Sequence, residues 1–241
     1  MGSGGGGRPG RDRRLPSPRR AAAPAARDTV RQILHRGIVA GTIPGGTRLV
    51  QGSVAEELGV GTRPVREALR ELAAGGFVRL DAAGVAVVHK LSRTELVELY
   101  EIRKLLEPVA TARAARYASG DSIRQAVRLL AAMERETDPA RWAEHNDDFH
   151  SVIEEAGGST RLMAILENLR DLSALYVTHS ITADPDRIRR GRAEHEEILK
   201  AVIARDAEAA ADAMFRHLDG RLRTLLTMHP VEDRPSSSPS G

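Results

Sequence analysis

Apolar residues recur at helical spacing along most of the chain, and in one place that repeat gives way to two short strand-like runs. Residues 49–72, LVQGSVAEELGVGTRPVREALREL, predict two short helices with a tight turn between them. The first runs from about residue 53 to 58, and Gly59-Val60-Gly61 breaks it, because glycine tolerates the backbone angles of a sharp corner. In the second, Val65, Ala68, Leu69 and Leu72 fall at i, i+3, i+4 and i+7 and make one apolar face. Arg63, Arg66 and Arg70 form a cationic stripe beside it. Gly75-Gly76 stops that helix; residues 77–80 predict a strand, 81–84 a turn and 85–88 a returning strand. A steep helix pair followed by a hairpin makes a winged helix-turn-helix, whose second helix fits a B-DNA major groove. The bland alternative, an amphipathic helix with arginine on its wet side, leaves the hairpin unexplained.

On either side the pattern is purely helical. Asp28 is expected to cap a helix carrying Val30, Ile33, Leu34, Gly37 and Ile38 and ending near Gly41, and Ile43-Pro44-Gly45-Gly46 then turns the chain. After His89-Lys90-Leu91, Ser92 and Glu95 have the spacing of a capping box. A long helix follows with Leu96, Leu99, Ile102, Leu106 and Val109 on its apolar side, and Pro108 is expected to kink or restart it. Asp121 opens another helix, and Asp138-Pro139 opens a further one that carries Trp142, Phe149 and Ile153 and stops at Gly157-Gly158. Three more are expected near residues 160–181, 185–204 and 206–228, separated by Thr182-Ala183-Asp184 and Arg205-Asp206. No strand pattern follows the hairpin, so the expected fold is mainly α: a winged helix-turn-helix over residues 27–91 and an antiparallel helical bundle over 92–229. Residues 1–26 and 230–241 have little to bury and are expected to be disordered.

Composition narrows the class. Of 241 residues 41% are hydrophobic but only 3% aromatic, so the cores must be aliphatic, which suits packed helices. There is no cysteine, hence no disulfide framework and no thiolate metal site. No apolar run approaches bilayer length and no leader pattern is seen, so a soluble cytoplasmic protein without membrane association is expected. The net charge of +3 is uneven: before Thr29 seven arginines face two aspartates, giving that segment +5 and the remainder −2. These arginines either add non-specific phosphate contacts or form a solvated tail without a role.

Asn146 and His150 are four apart on one predicted helix and share a face; His195 and His217 lie on the last two long helices. Facing helices of a bundle can converge such groups on one point, and imidazoles with an oxygen ligand suit zinc, nickel or manganese. Separate hydrogen-bonded histidines fit the same spacing.

Residues 45–91, with PGGTRLVQ, VAEELGVGTRPVREALRELAAGGFV and GVAVVHKLS, resemble the winged-helix domain of the GntR superfamily of bacterial transcription regulators. Downstream, YEIRKLLEPVATARAA and FHSVIEEAGG resemble the FCD ligand-binding domain of its FadR-type branch, so the likeness spans roughly residues 29–226. It implies a dimer that binds a near-palindromic double-stranded DNA operator, with Arg63, Arg66 and Arg70 on the groove side and Thr62 near the helix start. Arg66 matches the family's contact position directly. The chain departs from the family where Gly61-Thr62-Arg63 replaces the usual Ser-Arg-Thr, moving an arginine about 100° round the helix. Gly52 and the wing tip Ala82-Ala83 stand where relatives often have basic residues.

For the bundle, the resemblance implies that Asn146, His150, His195 and His217 occupy the positions of a divalent metal site, most often zinc, with Asn where many relatives have Asp. His145 and His179 match no ligand position, and Asp147 and Asp148 should point elsewhere. Arg103 matches a position that often faces the effector pocket; a solvated residue or a salt bridge is the alternative for it. The implied function is a metabolite-responsive transcription regulator, more often a repressor in this family, whose effector is a small carboxylate. A metal-free FadR-type regulator with another effector is the alternative. A metal-dependent hydrolase is the enzyme alternative, but H-E-x-x-H is absent and Glu194 and Glu196 read as ordinary polar-face residues. A constitutive DNA-binding protein without an effector is the remaining rival.

Overall fold

The computed structural model describes residues 23–81, 83–183 and 186–228, which separate into two compact units with the break between His89 and Lys90. Residues 1–22 of the expected basic tail and all of the expected tail 230–241 lie outside the described residues.

The first unit opens with α1 (Ala23–Val39), six residues before the Thr29 start that an Asp28 cap predicts. Asp28 is inside the helix, paired with Arg27, because the alanine-rich run before it is a good helix former and Pro24 falls in the first turn, where a missing N–H is not needed. Val30, Leu34 and Ile38 bury one face of α1. Strand β1 (Arg48–Leu49), which the sequence pattern was too short to announce, leads into α2 (Gln51–Leu58). Gly59 ends α2 in the left-handed region at φ 65°, and α3 (Thr62–Ala74) begins directly after Gly61. The hairpin follows as β2 (Val78–Leu80) and β3 (Ala86–Val88), and β1 joins it to give an antiparallel sheet of order β1-β3-β2. The hairpin turn is held by the Asp81 carboxylate, which accepts from the Ala83 and Val85 amides at 3.0 and 2.9 Å.

The second unit is helical throughout its described residues: α4 (Arg93–Tyr117), α5 (Gly120–Arg135), α6 (Pro139–Glu155), α7 (Thr160–Ala183), α8 (Asp186–Ile203) and α9 (Ala207–Met228). The Ser92/Glu95 capping box is formed in full. Pro108 does not restart α4: the helix continues past it to Tyr117 and packs along α9. The apolar side expected for α4 is also corrected. Ile102 and Val109 are about half exposed, and the buried face instead runs through Leu96, Leu99, Tyr100, Arg103, Glu107, Ala110 and Ala114. Two charged residues therefore occupy core positions. Gly157, just past α6, sits so close to α4 that a Cβ there would lie 2.9 Å from the Ala110 carbonyl oxygen, and that approach sets the spacing of the two helices. Among the described residues no helix is long and apolar enough to cross a membrane.

Candidate functional site

In the first unit, helix α3 has the two sides its sequence predicts. Val65, Ala68, Leu69 and Leu72 are at most 2% exposed and anchor it to the unit's core. Thr62, Arg63, Arg66 and Arg70 are all exposed on the other side. Arg63 is tethered by Glu67 one turn on, at 3.0 Å. A surface-exposed ion pair of this kind contributes little to stability and is readily exchanged for a phosphate.

In the second unit, α6, α8 and α9 bring His150, His195 and His217 together in the interior, with ring centroids 4.7–5.2 Å apart. One ring nitrogen from each lies within 4.8 Å of the other two, and the Nε2 atoms of His150 and His195 are 3.3 Å apart. Two imidazole nitrogens bound at about 2.0 Å to one tetrahedral ion would stand roughly 3.3 Å from each other, so the spacing fits ligands of a single cation. Burial, together with His195, Arg221, Arg103 and Arg170, holds His150 well below its ordinary pKa, which keeps it in the neutral form a metal ligand needs. Its Nδ1 is buried without a hydrogen-bond partner. Trp142 and Phe149 wall the cluster on the His195 side.

His217 is oriented from behind: its Nδ1 and the Glu194 carboxylate are 2.8 Å apart, which leaves Nε2 turned to the cluster. Glu194 is thus more than the polar-face residue its sequence context suggests. The Asn146 carboxamide oxygen accepts from Arg221 Nη2 at 2.9 Å.

Next to the histidines lies a small, partly open cleft, lined by Arg103, Asn146, Asp147, His150, Arg170, Ser173 and Arg221 among others. Arg103 is buried rather than solvated. It donates through Nε to Glu107, one turn on, and through Nη1 to Ser173 Oγ at 2.8 Å. Burial works against its charge, and Glu107 and Tyr100 outweigh burial and hold it protonated. Arg170 pairs with Glu154 and, at 3.3 Å, with Asp147, and donates to Ser151 Oγ. Asp147 therefore lines the cleft instead of pointing elsewhere, whereas Asp148 is exposed. Burial and the neighbouring Glu107 push Glu154 up to about 8 against the pull of Arg170 and Arg103. Three arginines and one aspartate line the cleft, a surplus of cationic side chains suited to an anion.

The structure brings Arg103, Asn146 and the three candidate histidines into one region. His145 is half-buried and His179's side chain lies outside the described residues. Glu107, Glu154, Arg170 and Arg221 were not singled out in the sequence. Three of them stand four residues from a residue that was: Glu107 from Arg103, Glu154 from His150 and Arg221 from His217. On a helix that spacing means one face.

Comparison with known proteins shows the family. The chain matches the family of bacterial regulatory proteins, gntR family, over residues 26–88 and the FCD domain over residues 98–220. The gluconate operon transcriptional repressor of Bacillus licheniformis is 26% identical over 196 residues, covering 77% of this chain and 79% of that protein. The HTH-type transcriptional repressor RspR of Escherichia coli is 28% identical over 193 residues, covering 78% and 83%. Among solved structures, Escherichia coli McbR/YncC superposes with a TM-score of 0.74 at 23% identity over 84% of this chain and 98% of that one. A putative GntR regulator from Rhodococcus sp. RHA1 gives 0.72 at 22% identity over 86% and 100%, and both likenesses show the fold. The chain belongs to the GntR family of bacterial regulatory proteins, in the FadR-type branch whose winged helix is joined to an FCD domain, and it is a DNA-binding transcription regulator rather than an enzyme.

Proposed function

We propose that the protein is a homodimeric repressor whose helical unit, residues 92–229, holds one divalent ion and answers to a small carboxylate-bearing metabolite, while residues 27–91 bind the operator. One observation carries this reading: three buried imidazoles converge beside an arginine-lined cleft, in the same chain as an exposed cationic helix α3. His150, His195 and His217 would hold the ion, with zinc first and nickel or manganese as substitutes. When bound, the ion supplies positive charge and an open coordination position for a carboxylate. Arg103, fixed by Glu107 and Ser173, presents the rim of its planar guanidinium to the same cleft and receives a second anionic or hydroxyl group.

On the DNA side, Thr62, Arg63, Arg66 and Arg70 face the groove and phosphates, and a two-fold dimer reads a near-palindromic site. Support for the dimer comes from α4, where Ile102, Leu105 and Val109 recur at helical spacing on its exposed side, with the half-exposed Phe215 on neighbouring α9. The sign of regulation follows the relatives, which are named repressors.

The test combines elemental analysis of untagged protein with operator binding in the presence of a panel of organic acids, with and without a chelator. Metal near one per chain, and acids that release operator only from metal-loaded protein, are expected. Acids that act equally on metal-stripped protein would favour a metal-free FadR-type regulator. Operator binding indifferent to every small molecule would favour a constitutive DNA-binding protein.

A further inference from the structure

The two helices that present His150 and His217 each carry a second polar residue one turn away. On α6 it is Asn146, four before His150; on α9 it is Arg221, four after His217. These two residues meet each other, with Arg221 Nη2 donating to Asn146 Oδ1 at 2.9 Å, and they are only 3% and 5% exposed. The guanidinium is therefore locked one helical turn from the imidazoles, on the wall of the cleft that His150 and Asn146 also line. Asn146 adds no negative charge, and its carboxamide oxygen is engaged by a cationic donor. That makes it a poor ligand for a metal ion and a good anchor for an arginine.

A divalent ion on the three histidines and a buried guanidinium beside it repel one another. An anion seated between them relieves both, since a carboxylate has two oxygens, one for a metal and one for a forked N–H donor. We infer that Arg221 is the anion clamp of this cleft and Asn146 its positioning residue, so that a carboxylate and the metal bind cooperatively through Arg221. The inference rests on the reading of His150, His195 and His217 as the metal-holding set. Arg103 and Arg170 line the same cleft and are each paired with a buried glutamate. Because coupling between two ligands is reciprocal, whatever factor the anion adds to metal affinity, the metal adds to anion affinity.

The experiment measures zinc binding to the full, metal-stripped chain by competition with a chromophoric chelator, with and without acetate. Wild type is expected to bind zinc at least about fivefold more tightly when acetate is present. Arg221→Gln, which can still bond Asn146 but carries no charge, is expected to bind zinc at least as well without acetate and to lose the enhancement. Asn146→Asp supplies an internal carboxylate and is expected to bind zinc more tightly than wild type while responding less to acetate. Circular dichroism checks each fold, and if Arg221→Gln does not fold, Arg221→Lys carries the test: it keeps the charge, loses the fork, and should show a clearly reduced enhancement. Zinc binding with no acetate enhancement in wild type, or an equal enhancement in the folded Arg221 variant, overturns the clamp and leaves the metal site standing. No zinc binding in wild type overturns both.

Discussion

Three arginines of α3 and three of the helical unit carry the same guanidinium group, yet Arg63, Arg66 and Arg70 stand in water while Arg103, Arg170 and Arg221 are at most 5% exposed. In water the charge is already solvated, so the fold asks nothing of its neighbours and the side chain stays available to phosphates and base edges. In the interior the same charge must be matched group by group, and Glu107, Glu154, Ser173 and Asn146 are the matches the structure provides. One set can change with little effect on folding, and the other can hardly change at all. The difference fits the proposed regulator, which would read one long polymer on its surface and one small molecule in its interior.

The largest effect should come from breaking an interior match. Glu107→Ala strands the buried Arg103 charge and is expected to cost about 3–5 kcal/mol of unfolding free energy by chemical denaturation. Glu67→Ala, which removes the partner of exposed Arg63, should cost less than about 1 kcal/mol. Similar losses for the two would dissolve the contrast. Next comes the metal set: added zinc should stabilise wild type by up to about 4 kcal/mol when zinc is a thousandfold above its Kd, and His195→Ala should abolish that thermal shift. A wild-type melting curve indifferent to zinc and nickel would remove the metal from the account. On the outer surface, Arg66→Ala is expected to weaken operator binding by about 1–3 kcal/mol with an unchanged melting temperature. Unchanged operator affinity would mean that α3 does not face the groove with this residue.

A separate effect is a pH slope. Glu154 is raised in the fold from its ordinary 4.5 to about 8, so between those values the unfolded chain has lost a proton that the folded chain keeps. Its contribution to stability is therefore fully present below about pH 4.5 and is lost as pH rises through about 8. Glu154→Gln should remove this fall, a difference in slope of at most about 1.4 kcal/mol per pH unit. Parallel stability profiles for the two proteins would show that Glu154 is ionised in the fold.

How much of this can be read from sequence follows the same division. The α3 face was legible because Val65, Ala68, Leu69 and Leu72 repeat at helical period and the arginines fall between them. The glycines at 59 and 61 marked the turn, although the helix before it starts at Gln51, two residues earlier than its pattern suggests. In the helical unit, element boundaries were mostly within three residues of those observed, but the orientation of α4 was not. Ile102 and Val109 looked like core and face outward, while Arg103 and Glu107 are interior. Period alone cannot decide which of two plausible helix faces the rest of the bundle covers. The histidine cluster is a sharper case: His150, His195 and His217 are far apart in the chain, and only three-dimensional packing, or a resemblance to a known family, puts them together. Arg170 gave one faint signal, a lone cation within the apolar stretch LMAILENLRDLSALY.

Trp142 is the single tryptophan of the chain, and it is 2% exposed with its ring centroid 6.2 Å from that of His195. Gly191, one turn before His195 on α8, packs beside it, where a Cβ would be in ordinary van der Waals contact with the indole edge at 3.6 Å. Indole emission responds to the charge and electronic state of groups at such range. The helical unit thus contains its own optical reporter, with no second tryptophan to dilute the signal. Occupancy of the histidine cluster can be followed in unlabelled, full-length protein, and a paramagnetic ion such as nickel should quench that emission more strongly than zinc.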